Sequence, residues 1–409
     1  MTELDKTCRI ERRDLLFVLF GAGLVFTTYL LSHPKGFTPF ETGSPYTYTF
    51  LIAKELLHGE LGVKSAPPSW LNEFVPWLDG YYYSVFPLGA VLSVLPVAAL
   101  VDWGILSIFP SQLISGFLGG ATFVLSYWLV LSLSGSRTKA VLYAALLPLG
   151  TWSWMNITFG GAWQLALGFA EVGLLGAFLF SLVYQFPFWC GAAFALGFGN
   201  RTELLVVAPL FLYLLFRNEN KREKWLGIGV QFVTVPVLLG GATLWYNWAR
   251  FGSPFEFGYA LIPGVLDEPW YRHGIFSLKA IPENVHHMLF RRWRWVETPP
   301  YLLPTGFGSS IFLACPFLIL LFRWRVTEWR TYGAVWLSAL VVCLIVWCHG
   351  NAGGWQFSYR YAIELLPFFL IILVLNGKQR VTALEVALCT LSVVINGYAV
   401  WVFYWSGVM

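Results

Sequence analysis

Apolar residues occur along this chain in long runs, and short polar connectors separate the runs. A helix needs roughly 20 mainly apolar residues to cross a bilayer, and most of these runs approach that length. The pattern predicts an all-α polytopic membrane protein with about eleven transmembrane helices. Their approximate ranges are 15–32, 111–133, 139–155, 161–184, 187–199, 203–216, 225–248, 305–322, 331–348, 361–376 and 381–404.

Lysine and arginine are concentrated in five short connectors, and this distribution orients the helices. Cytoplasmic loops carry an excess of basic residues, so we place all five connectors inside. The N-terminus is then cytoplasmic, the C-terminus lies outside, and two long loops, 33–110 and 249–303, lie on the outer side. The five clusters are Lys6 with Arg9, Arg12 and Arg13; Arg137 with Lys139; 217–224; 323–330; and Lys378 with Arg380.

Two apolar segments of the first outer loop are predicted as juxtamembrane helices and not as spans. The segment Phe86 to Val101 is apolar, but Pro87 and Pro96 limit a helix there. Counting it as a span would move the cluster at residues 137–139 outside. The segment 48–58 is the second predicted surface helix.

Composition agrees with a membrane protein. Only 12% of the residues are charged and 57% are hydrophobic, whereas a soluble domain carries about 25% charged residues. We therefore treat 1–409 as a single transmembrane domain with no soluble C-terminal domain, in a bacterial inner or plasma membrane. Membrane lipids are expected partners and nucleic acid is not. None of the six cysteines forms a CxxC pair, which argues against a disulfide framework or a cysteine metal site.

Three acids of the first outer loop, Glu41, Glu73 and Asp79, lie in irregular stretches. A carboxylate just above a membrane can deprotonate a hydroxyl or an amine, or hold a divalent cation. Each of the three can equally be an ordinary solvated loop acid.

Arg201 and Glu203 lie where two half-length helices meet, which predicts a polar turn in the outer half of the bilayer. An arginine there needs an anionic partner, and a lipid phosphate suits it. The alternative is an internal ion pair of Arg201 with Glu203 or with Glu171.

Two later stretches add cations and hydrogen-bonding groups on the same side. In the second outer loop, Arg291 and Arg292 alternate with aromatic residues, a pattern that suits either substrate phosphate or general membrane anchoring. The glycine-rich stretch from His349 to Glu364 includes Arg360, one turn before Glu364. Glycines allow a backbone to approach a ligand closely. The alternative is a capping turn with an Arg360–Glu364 surface pair.

Several stretches together resemble membrane glycosyltransferases of the C-type fold, which include protein O-mannosyltransferases and the bacterial lipid A aminoarabinose transferases. The stretches run along most of the chain in the expected order. They are Tyr48-x4-Ala53-x5-Gly59, Gly80-Tyr-Tyr-Tyr-Ser-x2-Pro87, Ala195-Leu-Gly-Phe-Gly-Asn-Arg201, Tyr246-Asn-Trp-Ala-Arg250, Gly306-x-Gly-x6-Cys-Pro316 and Gly354-Trp-Gln-Phe-Ser-Tyr-Arg360.

The resemblance implies an inverting glycosyltransferase that moves a sugar from a polyprenyl-phosphate carrier to an acceptor at the outer face. On this reading Glu41 or Glu73 is the catalytic carboxylate. The residues assigned to substrate or phosphate binding are Arg201, Arg360, Arg291, Arg292, Tyr82, Asn156, Glu203 and His349. No metal ligands are assigned, although a divalent cation is a conceivable cofactor.

One departure from the family affects the first loop. Members of the family usually carry Asp shortly before the Tyr/Ala helix, but here Gly43-Ser-Pro45 occupies that stretch and Glu41 is the closest acid. Two other functions therefore stay open. One is a lipid-linked glycan or lipid transporter, and the other is a non-catalytic scaffold of the same fold.

Overall fold

The computed structural model describes residues 11–217, 219, 221–323, 326, 328–378 and 380–408. Lys6, Arg9 and Arg325, which belong to the predicted basic clusters, lie outside the described residues.

The described part of the chain is mainly helical. Its α-helices are Arg12–Leu31 (α1), Tyr48–Leu57 (α2), Leu88–Asp102 (α3), Ser111–Ser134 (α4), Arg137–Leu149 (α5), Ser153–Thr158 (α6), Ala162–Leu179 (α7), Pro187–Asn200 (α8), Ala208–Phe216 (α9), Trp225–Phe251 (α10), Ile281–Leu289 (α11), Ile311–Ala314 (α12), Trp329–Trp347 (α13), Leu366–Leu375 (α14) and Ala383–Tyr404 (α15). Four short strands form two antiparallel hairpins: Phe74–Pro76 (β1) with Tyr82–Ser84 (β2), and Arg294–Trp295 (β3) with Leu302–Leu303 (β4).

Among the described residues, six helices are long and apolar enough to cross a membrane. They are Arg12–Leu31, Ser111–Ser134, Ala162–Tyr184, Trp225–Phe251, Trp329–Trp347 and Ala383–Tyr404. These correspond to six of the predicted spans and support an integral membrane protein. The total of about eleven stays a prediction.

The other five predicted spans form shorter or interrupted helices. For example, the segment predicted as 203–216 begins as a 3-10 helix, Thr202–Val207, and continues as α9. The segment 361–376 likewise begins with the 3-10 helix Arg360–Leu365 before α14. Both α-helices carry proline at their first turn, where the missing N–H costs nothing but the preceding turn is disrupted. The two segments predicted as juxtamembrane helices are helical, as α2 and α3, and their position relative to the membrane stays a prediction.

Glycines bring neighbouring helices into close contact. A Cβ added at Gly173 of α7 would lie 2.5 Å from the backbone nitrogen of Gly197 on α8, and one added at Gly89 of α3 would collide with the backbone of Gly199. Small residues allow helix backbones to approach, which is how membrane helices gain van der Waals contact. The glycine pairs thereby fix α8 between α7 and α3, and α8 leads directly into the turn that holds Arg201.

Ion pairs connect the elements that the sequence assigns to the inner side. Arg137 Nε lies 2.6 Å from Asp14 Oδ1, and Arg323 Nη1 lies 2.8 Å from Glu385 Oε1. Both carboxylates are buried, while Lys139, also buried, donates from Nζ to the carbonyl of residue 378 at 3.2 Å. Paired buried charges are tolerated where an unpaired one is costly. These basic residues thus join helices in addition to marking the predicted side.

Candidate functional site

A cavity lies where the first loop, α7, the turn after α8, the second loop and the segment before α14 meet. Its empty volume, including the open mouth, is about 1030 Å³. Five residues that the sequence analysis selected line it: Glu73, Arg201, Glu203, His349 and Arg360. Chain segments far apart in sequence thus contribute to one concave site, which is the usual form of a small-molecule site.

Aromatic packing sets the position of Glu73. The ring of Tyr48, at the start of α2, lies 5.5 Å from that of Phe74, 5.5 Å from that of Phe86 and 5.2 Å from that of Trp163 (centroid distances). Tyr48 also donates from its hydroxyl to Asn72 Oδ1 at 3.2 Å. The loop on both sides of Glu73 is therefore held against α7.

The carboxylate of Glu73 accepts a 2.8 Å hydrogen bond at Oε2 from the indole Nε1 of Trp163. Burial raises the pKa of Glu73 to about 7, although the Trp163 hydrogen bond and the charge of Arg360 act in the opposite direction. A carboxylate with a pKa near neutral is suited to general base catalysis at physiological pH, because it is ionised but still basic.

Arg201 is held between two carboxylates. Its Nε lies 2.6 Å from Glu364 Oε1 and its Nη2 lies 2.6 Å from Glu203 Oε1. The Glu364 side chain is fully buried. The Arg201–Glu203 pair considered from the sequence is therefore present. Glu171 is not a partner of Arg201, because its Oε2 accepts from Ser153 Oγ at 3.0 Å.

Arg360 differs from Arg201 in having no carboxylate within ion-pair distance among the described residues. Its Nη1 donates to the carbonyl of Gly354 at 3.1 Å, and its Nε is buried without a hydrogen-bond partner. The Arg360–Glu364 surface pair considered from the sequence does not form, since Glu364 pairs with Arg201. Arg360 thus brings to the cavity wall a positive charge without an ion-pair partner among the described residues, and its Nε is still free to donate.

One tyrosine ring lies beside both arginines. The guanidinium carbons of Arg201 and Arg360 are each 5.2 Å from the ring centroid of Tyr361. Cations at this distance are attracted by the negative face of an aromatic ring. The ring therefore helps to keep two like charges near one cavity.

His349 is a neutral hydrogen-bonding group in the same cavity. Its Nδ1 lies 2.7 Å from the carbonyl oxygen of Asn351. Because a carbonyl only accepts, Nδ1 carries the proton and Nε2 is left as an acceptor. Burial lowers the pKa of His349 to about 4, so the ring stays uncharged at neutral pH.

The remaining predicted site residues do not line this cavity. Glu41 is exposed in the loop after α1. The Asn156 amide donates to the carbonyls of Trp152 and Phe357, which is a role in joining segments. The others outside the cavity are Tyr82 in β2, Asp79 in the β1–β2 turn, Arg291, which donates to the carbonyl of Phe307, and the exposed Arg292.

Sequence reasoning missed several residues that line the cavity. Trp163 is the direct partner of Glu73, and Tyr259 and Tyr271 contribute further wall surface. Trp163 lies in a run assigned to a span, where a tryptophan is ordinary and carries no sign of a polar role. No feature of the sequence therefore indicated that the indole N–H of Trp163 binds Glu73.

The residues of the site do not suit a metal ion. No group of three or more His, Cys, Asp or Glu side chains is arranged to hold one in the part of the chain that the structure describes. Of the groups that act on the pKa of Glu73, the indole N–H of Trp163 and the guanidinium of Arg360 have no lone pair for a cation, and only the carboxylate of Glu268 does.

A second cavity of about 1020 Å³ adjoins the first. The two share part of their lining, including Glu73, Trp163 and Arg360. Glu73 therefore lines both cavities.

Comparisons with known proteins show a likeness of fold. No family model matches the sequence. A relative from Aquifex aeolicus (strain VF5), described as an uncharacterized protein, is 28% identical over 160 residues, which are 39% of this chain and 36% of the relative. Among solved structures, the archaeal oligosaccharyltransferase AglB from Archaeoglobus fulgidus, in complex with an inhibitory peptide and a dolichol-phosphate, is similar with a TM-score of 0.50 at 12% identity, over 96% of this chain.

This chain spans 56% of the length of that oligosaccharyltransferase chain. At such low identity the likeness concerns the fold alone, and it supports the predicted C-type glycosyltransferase fold at that level.

Proposed function

We propose that the chain is a membrane glycosyltransferase that moves a sugar from a polyprenyl-phosphate carrier to an acceptor. The observation that carries the proposal is that Glu73 and the unpaired Arg360 line one cavity. A base and a cation at one cavity wall are the two groups that displacement of a lipid phosphate requires. The fold likeness to an enzyme solved with a dolichol-phosphate supports the same class of donor.

In the proposed reaction, Glu73 removes the proton of an acceptor hydroxyl as the hydroxyl oxygen attacks the anomeric carbon of the donor sugar. The bond between that carbon and the phosphate oxygen breaks, and its electron pair leaves with the polyprenyl phosphate. Arg360 stabilises the negative charge that develops on the phosphate. A single displacement of this kind inverts the configuration at the anomeric carbon.

Arg201 acts mainly on the shape and charge of the site, since Glu203 and Glu364 offset its charge. The neutral His349 offers an acceptor to a sugar hydroxyl. Members of the C-type glycosyltransferase family usually carry a catalytic Asp shortly before the Tyr/Ala helix, and this chain lacks that Asp. In this proposal Glu73 takes its role, so the missing Asp does not imply a loss of activity. The cavity faces the outer side, with the N-terminus in the cytoplasm.

The test uses the purified protein in lipid nanodiscs with a panel of labelled polyprenyl-phosphate hexoses and measures release of polyprenyl phosphate. Glu73→Gln should lower release by at least about 100-fold, the ordinary contribution of a general base. Glu41→Gln is the matched control, because Glu41 is an acid of the same loop that lies outside the cavity. Release that survives Glu73→Gln and is lost in Glu41→Gln would overturn the assignment.

A second pair of variants tests the cation. Arg360→Gln should reduce release strongly, whereas Arg292→Gln, at an exposed position outside the cavity, should not. If labelled lipid moves between leaflets in proteoliposomes and is never cleaved, the chain is a transporter and the proposed chemistry is wrong.

A further inference from the structure

We propose that the second cavity is the acceptor site and that it takes a carbohydrate, so the attacking hydroxyl belongs to a sugar. This inference rests on the proposed function for the identity of the reaction. It adds the chemical class of the acceptor, which the first cavity does not specify.

The position of Glu73 provides the link between the two spaces. Its carboxylate belongs to the wall that both cavities share, together with Trp163 and Arg360. A base must lie within hydrogen-bond reach of the proton that it removes. A hydroxyl presented from the second cavity can therefore reach Glu73 while a donor phosphate lies beside Arg360 in the first cavity.

The lining of the second cavity is rich in aromatic rings. It includes Tyr46, Trp163, Trp270, Tyr271 and Trp355. The C–H faces of a pyranose ring are apolar and pack on aromatic faces, while its hydroxyls stay free at the edge. Large flat rings in a concave wall are thus suited to sugars.

Polar groups among these rings can hold the hydroxyls. Gln164 is only 3% exposed, and its Oε1 has no hydrogen-bond partner. A buried acceptor without a donor is costly, and a ligand hydroxyl would satisfy it. Asn72 and Glu268 also line the cavity and provide further amide and carboxylate oxygens.

The backbone at Trp355 is held in an unusual conformation. Its φ is +39°, in the left-handed region that residues with a side chain rarely adopt. The Trp355 ring packs on Phe403 with centroids 5.5 Å apart and lines the second cavity. Trp355 thereby contributes a further aromatic ring to the wall of the second cavity.

Two other ligand classes fit this cavity less well. Among the described residues, its lining contains one basic residue, Arg360, together with Glu73 and Glu268, so it is not suited to a second phosphate. Peptides often bind by adding a strand to a free sheet edge. None of the described lining residues belongs to β1, β2, β3 or β4, so the cavity wall offers no such edge.

The first experiment measures ligand binding without a donor. Saturation-transfer NMR on the protein in phospholipid nanodiscs compares maltotriose, cellotriose and mannotriose with a short peptide that contains Ser, Thr and Asn. We expect transfer to the C–H protons of at least one trisaccharide and none to the peptide. Transfer to the peptide alone, or to no trisaccharide, would overturn the proposal.

Variants locate the binding. Trp270→Ala and Gln164→Leu should each weaken trisaccharide binding by about fivefold or more, the effect of losing one hydrogen bond or an equivalent contact. Trp295→Ala is the matched control, because this tryptophan is 74% exposed and lines neither cavity. Binding that is equally sensitive to all three changes, or to none, contradicts a site in the second cavity.

The last arm separates this inference from the proposed function. Nanodiscs that contain a labelled polyprenyl-phosphate hexose receive either free trisaccharide or a glycolipid with the same head group, and mass spectrometry follows the product. The arm that yields product identifies a free or a lipid-linked acceptor.

In Trp270→Ala, loss of sugar transfer with persisting slow donor hydrolysis supports the acceptor site. Trisaccharide binding without any donor cleavage would refute the glycosyltransferase and leave the sugar site standing. Transfer that is unaffected by Trp270→Ala refutes the acceptor site alone.

Discussion

The indole nitrogen of Trp163 donates a 2.8 Å hydrogen bond to Oε2 of Glu73, and so joins α7 to the acid of the first loop that faces both cavities. This bond favours the ionised carboxylate, whereas burial favours the protonated form.

The pH dependence of transfer tests this balance. If ionised Glu73 is the base, the rate should rise with pH through about 7, the pKa of the carboxyl. Trp163→Phe keeps an aromatic wall but removes the donor, so the pKa of Glu73 rises and the midpoint should move upward by roughly one pH unit. The measurement is the pH profile of polyprenyl-phosphate release. A profile whose midpoint is the same in both proteins would exclude Glu73 as the titrating group.

The pH dependence of thermal stability should report the titration of Glu73 without any measurement of activity. The folded pKa of Glu73, about 7, lies above its ordinary value of 4.5. The folded state therefore holds this proton more tightly, and stability declines as pH rises from about 4.5 to 7. Above pH 7 the loss is on the order of 3 kcal/mol.

Glu73→Gln removes this decline. Its melting temperature should exceed that of the wild type at pH 8 and equal it at pH 4, as differential scanning fluorimetry in nanodiscs can measure. Glu41→Gln, which alters an exposed acid, should leave the difference between pH 4 and pH 8 unchanged. A Glu73→Gln protein that melts below the wild type at pH 8 would contradict the raised pKa.

Removing Arg201 should lower the stability of the protein more than it lowers the rate of the sugar transfer itself. Arg201→Gln leaves Glu203 and the fully buried Glu364 without their cation. Breaking a buried pair from one side typically costs about 3–5 kcal/mol. The double variant Arg201→Gln with Glu364→Gln replaces the buried charges by neutral amides and should recover most of the lost melting temperature. Equal melting temperatures of the single variant and the wild type would show that the pair contributes little.

Arg250 connects the end of α10 to the long loop between α1 and α4. It is 1% exposed and donates to the carbonyl of Ser84 and, at 2.8 Å, to Asn247 Oδ1. Its guanidinium carbon lies 3.6 Å from the ring centroid of Tyr246. Arg250→Leu leaves buried acceptors without donors and should lower the free energy of unfolding by about 2–4 kcal/mol.

Arg250→Lys should recover little of that stability, because the ammonium group of lysine cannot reproduce the planar arrangement of N–H donors of the guanidinium. Arg272→Leu is the control, since Arg272 is exposed in the loop that follows α10. Melting temperature and protein yield are the measurements, and a stable Arg250→Leu protein would show that the Ser84 contact is dispensable.

The predictions from sequence succeeded where the signal is local. Six apolar runs form helices long enough to span a membrane, and the segment predicted as 48–58 forms α2. Hydropathy identifies such runs because each residue contributes to burial in lipid according to its own side chain. Even there, proline divided the weaker runs into 3-10 and α-helical parts, for example at Pro367.

The candidate site was only partly accessible from sequence. The basic and acidic residues that were predicted to lie on the outer side were recognisable, and Glu73, Arg201 and Arg360 do lie at one cavity. The sequence left Glu41 and Glu73 as equal candidates. Its alternative for Arg360 was a surface pair with Glu364, whereas in the structure Glu364 pairs with Arg201.

By itself, the sequence determined that the chain belongs in a membrane, where its main helices run, and which polar residues are costly enough to need a reason. Only the tertiary structure decided that Glu73 is the acid that lines the cavity and that Arg360 is the arginine without an ion-pair partner among the described residues. The physical reason is that both depend on contacts between distant segments. The Tyr48 ring, at 5.2 Å from Trp163, fixes the loop that carries Glu73. Glu364 takes Arg201 as its partner and leaves Arg360 unpaired.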